Sequence, residues 1–239
     1  MCGRFAQMVE LEELMSSISL HVGPSIIDSS VPALLNSRQV APSQHCAVLT
    51  RREGSVAVEE ATFGRKLQSP NTTKGSKTII NARVETVLDK PLFKHAVQRN
   101  RCTVPVSGYF EWKEAEIGRK APFFIHPKST NIGFLAGLLI FSISNVYPSL
   151  VIITKEASSA QMRDLHPREP LHLSLTHLES WLSGLPISKH DLDAISSFDD
   201  SELEATPTTK TYLNGHDTSL SISPDETLVD PTKGQLRLF

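Results

Sequence analysis

The sequence predicts an α+β fold with an antiparallel, barrel-like β-sheet core and short helices at its periphery. Short apolar or alternating segments typical of strands recur at irregular spacing, and few segments have the period of a long helix. The regular alternation of strand and helix that marks a doubly wound parallel sheet is absent from the sequence. The glycine-rich motif G-x-G-x-x-G and the P-loop are absent as well, which argues against a nucleotide-binding fold.

Local periodicity and composition predict the individual elements in chain order. Apolar residues at helical spacing predict a helix over residues 10–20, and a turn-rich composition predicts irregular structure over 24–43. Strands are predicted over residues 46–50, 55–63, 78–80, 102–106, 108–112, 122–125, 133–140 and 150–154, with a loop over 67–76. Further helices are predicted over 92–98, 158–164 and 188–196, and one opens at the capping-box sequence of Thr176 and Glu179 and ends near Gly184.

Composition excludes several classes of protein. The 239 residues are 39% hydrophobic and 21% charged, as in ordinary soluble domains. No apolar run approaches the roughly 20 residues that cross a membrane, and the N-terminus lacks the apolar core of a signal peptide, so we expect an intracellular protein. Three scattered cysteines, Cys2, Cys46 and Cys102, fit neither a disulfide framework nor a C-x-x-C zinc site, and we expect no metal and no cofactor.

Charge is distributed unevenly along the chain. Residues 1–170 contain 20 Lys and Arg against 15 Asp and Glu, a net charge of +5. Residues 171–239 contain 4 against 11, a net charge of −7. The total of −2 is therefore the sum of two unlike regions, and it is compatible with a local anion-binding surface.

Cys2 offers a chemistry that an internal cysteine lacks. Removal of Met1 would leave Cys2 with a free α-amine beside its thiol, and the reference pKa values of these groups are about 8 and about 8.5. Such a 1,2-aminothiol condenses with an aldehyde through its amine, and its thiol then closes the imine to a thiazolidine. The alternative is that Cys2 is only a small residue near the terminus.

Two further residues suit proton transfer. His166 lies beside Arg168 in a loop that two prolines restrain, which favours acid–base work next to an anion; the alternative is a histidine on an ordinary surface loop. Glu111 lies between two aromatic residues of a predicted strand. Burial would favour its protonated form, whereas simple strand alternation would turn Glu111 towards water.

Asn81 and Arg83 stand two residues apart at the end of a predicted strand, so both side chains can face one side. An amide can hold a polar substrate group, and a guanidinium can hold a phosphate in a bidentate manner. A basic cleft could form from these residues together with Arg4, Lys90, Lys94 and Arg101. A solvated strand end is the alternative.

Taken together, these segments resemble the SRAP family (SOS-response-associated peptidase), the abasic-site processing proteins. The resemblance rests on seven segments in the family's order: residues 1–5 (MCGRF), 40–44 (VAPSQ), 80–86 (INARVET), 101–112 (RCTVPVSGYFEW), 134–138 (FLAGL), 153–157 (ITKEA) and 165–170 (LHPREP). It implies an SRAP domain over residues 1–205, followed by an acidic, weakly matched tail over 206–239.

The resemblance implies a specific activity, in which a monomer binds single-stranded DNA at abasic sites and shields them through a thiazolidine crosslink to Cys2. Catalytic roles would fall to Cys2, Asn81, Glu111 and His166. DNA contacts would come from Arg4, Pro42, Phe63, Arg83, Trp112, Thr154 and Arg168, and Tyr109 is a further candidate for stacking on bases. The protein would act in the cytoplasm or nucleoid of a bacterium, or in the nucleus of a eukaryote.

Two departures from the family pattern bear on the site. The family's tryptophan-containing stretch before the Asn-Ala-Arg motif corresponds here to residues 63–69, which contain no tryptophan, and Glu169 replaces a usual methionine. Two other functions remain open from the sequence. One is a cysteine (auto)peptidase that uses Cys2, His166 and Glu111. The other is a binding module that recognises single-stranded DNA without chemistry.

Overall fold

The structure, a computed structural model, describes residues 2–22, 25–27, 31–67, 77–114, 120–197 and 202–209. Its strands are β1 (Arg4–Met8), β2 (Ser25–Ile27), β3 (Asn36–Val40), β4 (His45–Arg52), β5 (Ser55–Phe63), β6 (Arg65–Leu67), β7 (Lys77–Ile79), β8 (Asn81–Arg83), β9 (Arg101–Val106), β10 (Gly108–Glu114), β11 (Lys120–Pro127), β12 (Gly133–Ile140), β13 (Ser149–Glu156), β14 (Arg168–Pro170) and β15 (Leu203–Pro207). Its α-helices are α1 (Leu11–Val22), α2 (Val31–Leu34), α3 (Pro91–Arg99), α4 (Ala160–Leu165), α5 (Leu175–Leu182) and α6 (Lys189–Ser196), and a 3₁₀ turn covers Val84–Thr86.

The larger sheet closes on itself as a ring. Its strands follow the order β14-β13-β12-β9-β4-β5-β2, and β13 pairs in addition with β5 and β8. These two extra pairings are parallel, whereas β12, β9, β4 and β5 are joined by antiparallel pairings. The α+β fold with a barrel-like, mostly antiparallel core and short helices is therefore confirmed.

A second, five-stranded sheet, in the order β15-β11-β10-β1-β3, packs against this ring. Alternating side chains of the ring strands divide the core into two parts. The inward-facing residues of the ring, such as Val48 and Ile152, cluster with Cys2 and Phe5 of the N-terminal segment. Helices cover the opposite face of the ring. Leu14 of α1 and Trp181 of α5 belong to the apolar cluster on this face, and both are fully buried.

Most predicted elements lie within two residues of the observed ones. The segment 24–43 is an exception, because its described part contains β2, α2 and β3, so the prediction of irregular structure is wrong there. Pairing with β1 orders β3, and pairing with β5 orders β2, so tertiary contacts override the local turn composition. Residues 68–76 of the predicted loop, and residues 210–239 of the predicted tail, lie outside the described residues.

Two helix starts show how side chains decide the boundary. The Ser174 hydroxyl, not that of Thr176, caps α5 by accepting from the His177 amide, so the predicted cap is wrong by two residues. Ser188 and Asp191 form the reciprocal capping box that begins α6.

Candidate functional site

Cys2 lies just before β1 and has no exposed surface. Its Sγ donates a weak hydrogen bond to the Arg4 carbonyl oxygen over 3.8 Å, the one partner it has among the residues that the structure describes. Burial raises the pKa of the Cys2 thiol well above its ordinary value, and the negative charge of Glu111 raises it further. The thiol is therefore neutral near pH 7, and it must lose a proton when it reacts.

Asn81 holds the main chain of Cys2 in place. The parallel pairing of β8 with β13 sets Asn81 opposite Ile152. From there the Asn81 Nδ2 donates to the Cys2 carbonyl oxygen over 3.1 Å. The buried Oδ1 of the same amide accepts no hydrogen bond from any described residue, so it is available to a bound group.

Glu111 is buried, with 5% of its surface exposed, while its neighbour Trp112 is half-buried. Strand alternation therefore does not turn Glu111 towards water. The pairing of β1 with β10, in which Arg4 lies opposite Phe110, brings β10 alongside the N-terminal segment. This places the carboxylate close enough to Cys2 to act on its thiol electrostatically.

His166 ends α4, and two contacts from Arg168 fix its ring. The Arg168 amide donates to Nδ1 over 2.9 Å, and the Arg168 carbonyl oxygen lies 2.9 Å from the same nitrogen. Because Nδ1 has both a donor and an acceptor at hand, Nε2 can either carry the proton or accept one. Met162 and Leu165 of α4 share an apolar cluster with Cys2, which anchors the helix near the thiol.

Arg168, Thr154 and Arg83 come together at the end of β13. Arg168 Nη2 donates to the Thr154 carbonyl oxygen over 2.6 Å, and Thr154 lies opposite Arg83 in the register of β13 and β8. Arg168 also forms a two-pronged ion pair with Glu85, over 2.8 and 3.0 Å. Partial burial acts to raise the pKa of Glu85, but the Arg168 contacts, a main-chain hydrogen bond and the charge of Arg83 together lower that pKa below the ordinary value.

Arg4, Trp112 and Pro42 lie at the surface of the smaller sheet and its flanking turn. The Arg4 guanidinium carbon is 5.6 Å from the centroid of the Trp112 ring, and Arg4 Nη1 donates to Gln39 over 3.2 Å. Pro42 is exposed in a turn that closes with a hydrogen bond from the Gln44 amide to the Ala41 carbonyl. All three side chains can therefore reach a ligand outside the protein.

Several predicted contacts are not brought to this surface. Phe63 has no exposed surface and packs edge-on against Phe5 with ring centroids 5.1 Å apart, so it cannot stack on a base. Tyr109, at 1% exposure, and Thr154, at 0%, are likewise buried, so neither is placed to touch DNA directly. Arg101 is buried against α5, so its predicted place in a basic cleft near Asn81 is wrong. Apolar packing buries the two aromatic side chains, and main-chain carbonyl oxygens on and near α5 hold the Arg101 guanidinium.

Glu169 does not add negative charge beside Arg83 and Arg168. It is 1% exposed, and its carboxylate lies 3.6 Å from the Lys155 ammonium group, opposite it in the register of β13 and β14. It also accepts from the Ser158 amide over 3.0 Å. Sequence reasoning missed Lys155, Glu85 and Gln39, because each acts through a partner that is distant in the chain.

In the part of the chain that the structure describes, no helix is both long enough and apolar enough to span a membrane. No group of three or more His, Cys, Asp and Glu side chains is placed to hold a metal ion within those same ranges.

Comparisons with known proteins identify the relatives of this chain. The chain is 28% identical over 211 residues to the abasic site processing protein YoaM of Bacillus subtilis, covering 86% of this chain and 89% of that protein. It is 29% identical over 184 residues to the abasic site processing protein YedK of Escherichia coli, covering 76% and 79%.

Solved structures show the same fold. A protein from Bacteroides thetaiotaomicron superposes with a TM-score of 0.70 at 19% identity, covering 91% of this chain and 97% of its own. A phage-related protein from Bordetella bronchiseptica superposes with a TM-score of 0.66 at 23% identity, covering 87% and 94%. The family model described as SOS response associated peptidase (SRAP) matches residues 1–214, so the chain belongs to the SRAP family.

Proposed function

We propose that this protein processes abasic sites in single-stranded DNA by forming a covalent crosslink through Cys2 once Met1 has been removed. The names of its relatives YoaM and YedK support the substrate. The observation that carries the proposal is the position of Cys2, which Asn81 holds by its carbonyl oxygen beside the Glu111 carboxylate. We propose that residues 1–205 carry this activity and that the protein acts as a monomer, in the bacterial cytoplasm or nucleoid or in the eukaryotic nucleus.

The proposed reaction balances without an added oxidant or reductant. The abasic sugar opens to an aldehyde, and the Cys2 α-amine adds to its C1′ carbon to give a carbinolamine. Loss of one water leaves an imine. The thiol sulfur then adds to the imine carbon while the thiol proton passes to the imine nitrogen, which closes the thiazolidine. Ring closure also removes the imine from which strand cleavage by β-elimination would proceed.

The neighbouring residues supply the proton transfers that this sequence needs. A neutral thiol must give up its proton at ring closure, and the buried Glu111 carboxylate is the charged group that acts on it. His166 Nε2 is left able to donate or accept, which suits the opening of the sugar and the loss of water. The unpaired Asn81 Oδ1 would accept from the sugar or from the Cys2 amine.

Phosphate contacts would come from the cationic residues on either side of Cys2. Arg83 is exposed, and Arg168 presents a guanidinium that Glu85 and Thr154 hold in a fixed orientation. Arg4 lies over the half-buried Trp112 ring, so these two could contact a phosphate and a base together. Pro42 completes the proposed set. The buried Phe63 is removed from it, and Thr154, which has no exposed surface either, contributes by holding Arg168 rather than by touching DNA.

The same geometry disfavours the peptidase. A cysteine peptidase works through a thiolate that an imidazole stabilises, and such a pair lowers the pKa of the thiol. In this protein burial raises the pKa of Cys2, and the sulfur's hydrogen bond goes to a carbonyl oxygen rather than to an imidazole. A primary amine attacks an aldehyde without a thiolate, so the crosslinking reaction does not share this requirement.

The test is incubation of the mature protein with a single-stranded oligonucleotide that carries one abasic site. We expect an adduct that survives denaturing electrophoresis and whose intact mass equals protein plus oligonucleotide less one water. The adduct should be absent with Cys2→Ala and unchanged with Cys46→Ala, which alters an equally buried internal cysteine. A Cys2→Ala protein that still crosslinks would overturn the proposal.

A parallel measurement separates the alternatives. Turnover of a peptide substrate that disappears in His166→Ala would favour the peptidase. Tight binding of the abasic oligonucleotide by wild type and by Cys2→Ala, with no adduct in either, would favour a binding module without chemistry.

A further inference from the structure

Four arginines line a small cavity at one end of the ring-shaped sheet. The cavity has a volume of about 80 Å³ and lies where β4 and α3 end and β9 begins. None of the residues placed around Cys2 lines it. The polar residues that do are Thr50, Arg51, Arg52, Arg99, Asn100 and Arg101. We call this cavity the arginine pocket.

Arg101 carries a buried charge that no carboxylate neutralises. It is 7% exposed, and Nε, Nη1 and Nη2 donate to the carbonyl oxygens of Trp181, Val97 and Leu185 over 2.6, 2.8 and 2.7 Å. Burial lowers the pKa of Arg101, and the negative charge of Asp191 offsets part of that effect. Yet Arg101 has no carboxylate within 4.0 Å anywhere in the described ranges. Buried charges are ordinarily paired, so this one lacks its usual counter-ion.

The other arginines add to the positive charge. Arg52 pairs with Glu59 over 2.8 Å, and Glu59 also accepts from Thr50 over 2.9 Å, so one acidic group is already used. The side chains of Arg51 and Arg99 make no hydrogen bond or ion pair with any described residue. The pocket therefore combines a buried arginine, Arg101, with the half-buried Arg51 and the exposed Arg99, and no carboxylate of the described residues forms an ion pair with any of the three.

We infer that the arginine pocket binds a single phosphate group. Its volume is far below the roughly 300–1,000 Å³ of pockets that enclose drug-sized ligands, so it suits a small anion rather than a whole nucleotide. Guanidinium groups bind tetrahedral oxyanions through paired N–H donors, and four arginine residues line this one small volume. A bound phosphate would supply the counter-charge that Arg101 lacks.

The phosphate could belong to a polynucleotide backbone or be free inorganic phosphate. Phe141 lines the same pocket with 52% of its surface exposed, and it offers a ring on which a base next to a bound phosphate could stack. A free ion would need only the arginines. The site is independent of Cys2 chemistry, so its test does not depend on the crosslinking proposal.

The test uses the full chain, inorganic phosphate as the probe, and chloride at equal ionic strength as the reference. A ligand that binds only the folded state raises the melting temperature. The size of this rise at known phosphate concentrations gives the dissociation constant of phosphate. The test variant is the double substitution Arg51→Gln and Arg99→Gln, which leaves the structural hydrogen bonds of Arg101 in place. The control is Lys77→Gln with Lys189→Gln, which removes two exposed positive charges outside the pocket.

We expect phosphate to stabilise wild type and the control alike, and the double arginine variant to lose roughly tenfold or more in phosphate affinity. An equal response of all three proteins to phosphate, or no response beyond that to chloride, would overturn the inference. A second arm identifies the source with an unmodified single-stranded oligonucleotide. The slope of log affinity for this oligonucleotide against log salt concentration is compared between wild type and the double variant. A slope that is shallower by about 0.7 in the double variant supports a backbone phosphate. An unchanged slope, with phosphate binding lost, supports a free ion.

Discussion

Asn81 donates its side-chain hydrogen bond to the main-chain oxygen of Cys2, not to the sulfur, across a sequence separation of 79 residues. The contact therefore fixes the direction of the N-terminal segment without occupying either reactive atom of Cys2. It also anchors the terminus to β8, a strand that the ring holds through β13.

Loss of this hydrogen bond should lower the rate of adduct formation while leaving the melting temperature nearly unchanged. We expect Asn81→Ala to reduce the rate of adduct formation with abasic DNA about tenfold, which corresponds to one hydrogen bond of about 1.4 kcal/mol. Adduct formation is followed by quenched denaturing electrophoresis, beside a thermal melt of each protein. Asn145→Ala, in an exposed loop, should match wild type in both measurements. Equal rates in Asn81→Ala and wild type would contradict the assigned role.

Glu111→Gln should move two reactions of Cys2 in opposite directions. The carboxylate raises the pKa of the thiol, so its removal should lower that pKa and increase alkylation of Cys2 at a fixed pH near 8. Loss of a proton carrier should at the same time slow adduct formation by about 10²-fold. Alkylation is measured by mass spectrometry of the N-terminal peptide. A fall in both rates would indicate structural damage instead.

Arg83 and Arg168 should each contribute to the salt dependence of DNA binding. A phosphate contact with single-stranded DNA changes the slope of log affinity against log salt by about 0.7. We expect Arg83→Gln and Arg168→Gln each to make the slope shallower by that amount, in fluorescence-anisotropy titrations of Cys2→Ala protein. Lys189→Gln, on the exposed face of α6, serves as the control and should leave the slope unchanged.

The ion pair between Glu85 and Arg168 should stabilise the fold only above acidic pH. The folded-state pKa of Glu85 is lowered, so its contribution is present above the unfolded pKa of about 4.3 and is lost as pH falls through the folded pKa. Because the Glu85 side chain is 44% exposed, we expect Glu85→Gln to cost no more than about 1 kcal/mol at pH 7. Urea unfolding at pH 7 and at pH 3 measures the difference in unfolding free energy between the two proteins, which should be smaller at the lower pH.

The buried pair of Lys155 and Glu169 should behave differently. Glu169→Met leaves the Lys155 ammonium group buried without its carboxylate, and we expect a loss of about 3 kcal/mol in the free energy of unfolding. The double substitution Lys155→Met with Glu169→Met removes both charges and should recover most of that loss. A double variant no more stable than the single one would show that the pair is not coupled.

Local patterns in the sequence were sufficient for most strands and helices. Apolar alternation and turn residues predicted β4, β5 and the turn between them, and residues 133–140 were predicted with the bounds of β12. The strand pairings that close the ring could not be predicted, because β13 pairs in parallel with β8 and β5, which are distant from it in the sequence. No local pattern specifies such a partner.

The candidate site was predictable as a set of residues but not as a geometry. Cys2 and Asn81 proved to be in direct contact, and Thr154 proved to join Arg83 and Arg168. Phe63 was misassigned because a sequence does not distinguish an aromatic ring that stacks on a base from one that fills a core. Register alone revealed that Glu169 faces Lys155.

Strand β8 also sets a length. Asn81 and Arg83 are the first and last residues of β8, so the residue that holds the nucleophile and the proposed phosphate contact are two strand residues apart, or about 7 Å. A rigid strand fixes this spacing more firmly than loops could. A one-residue shift in the register of β13 against β8 would turn the paired side chains to the opposite face. The distance from the lesion to its neighbouring phosphate would thus be measured against a single strand, and a lesion whose phosphate lay nearer or farther would fit poorly.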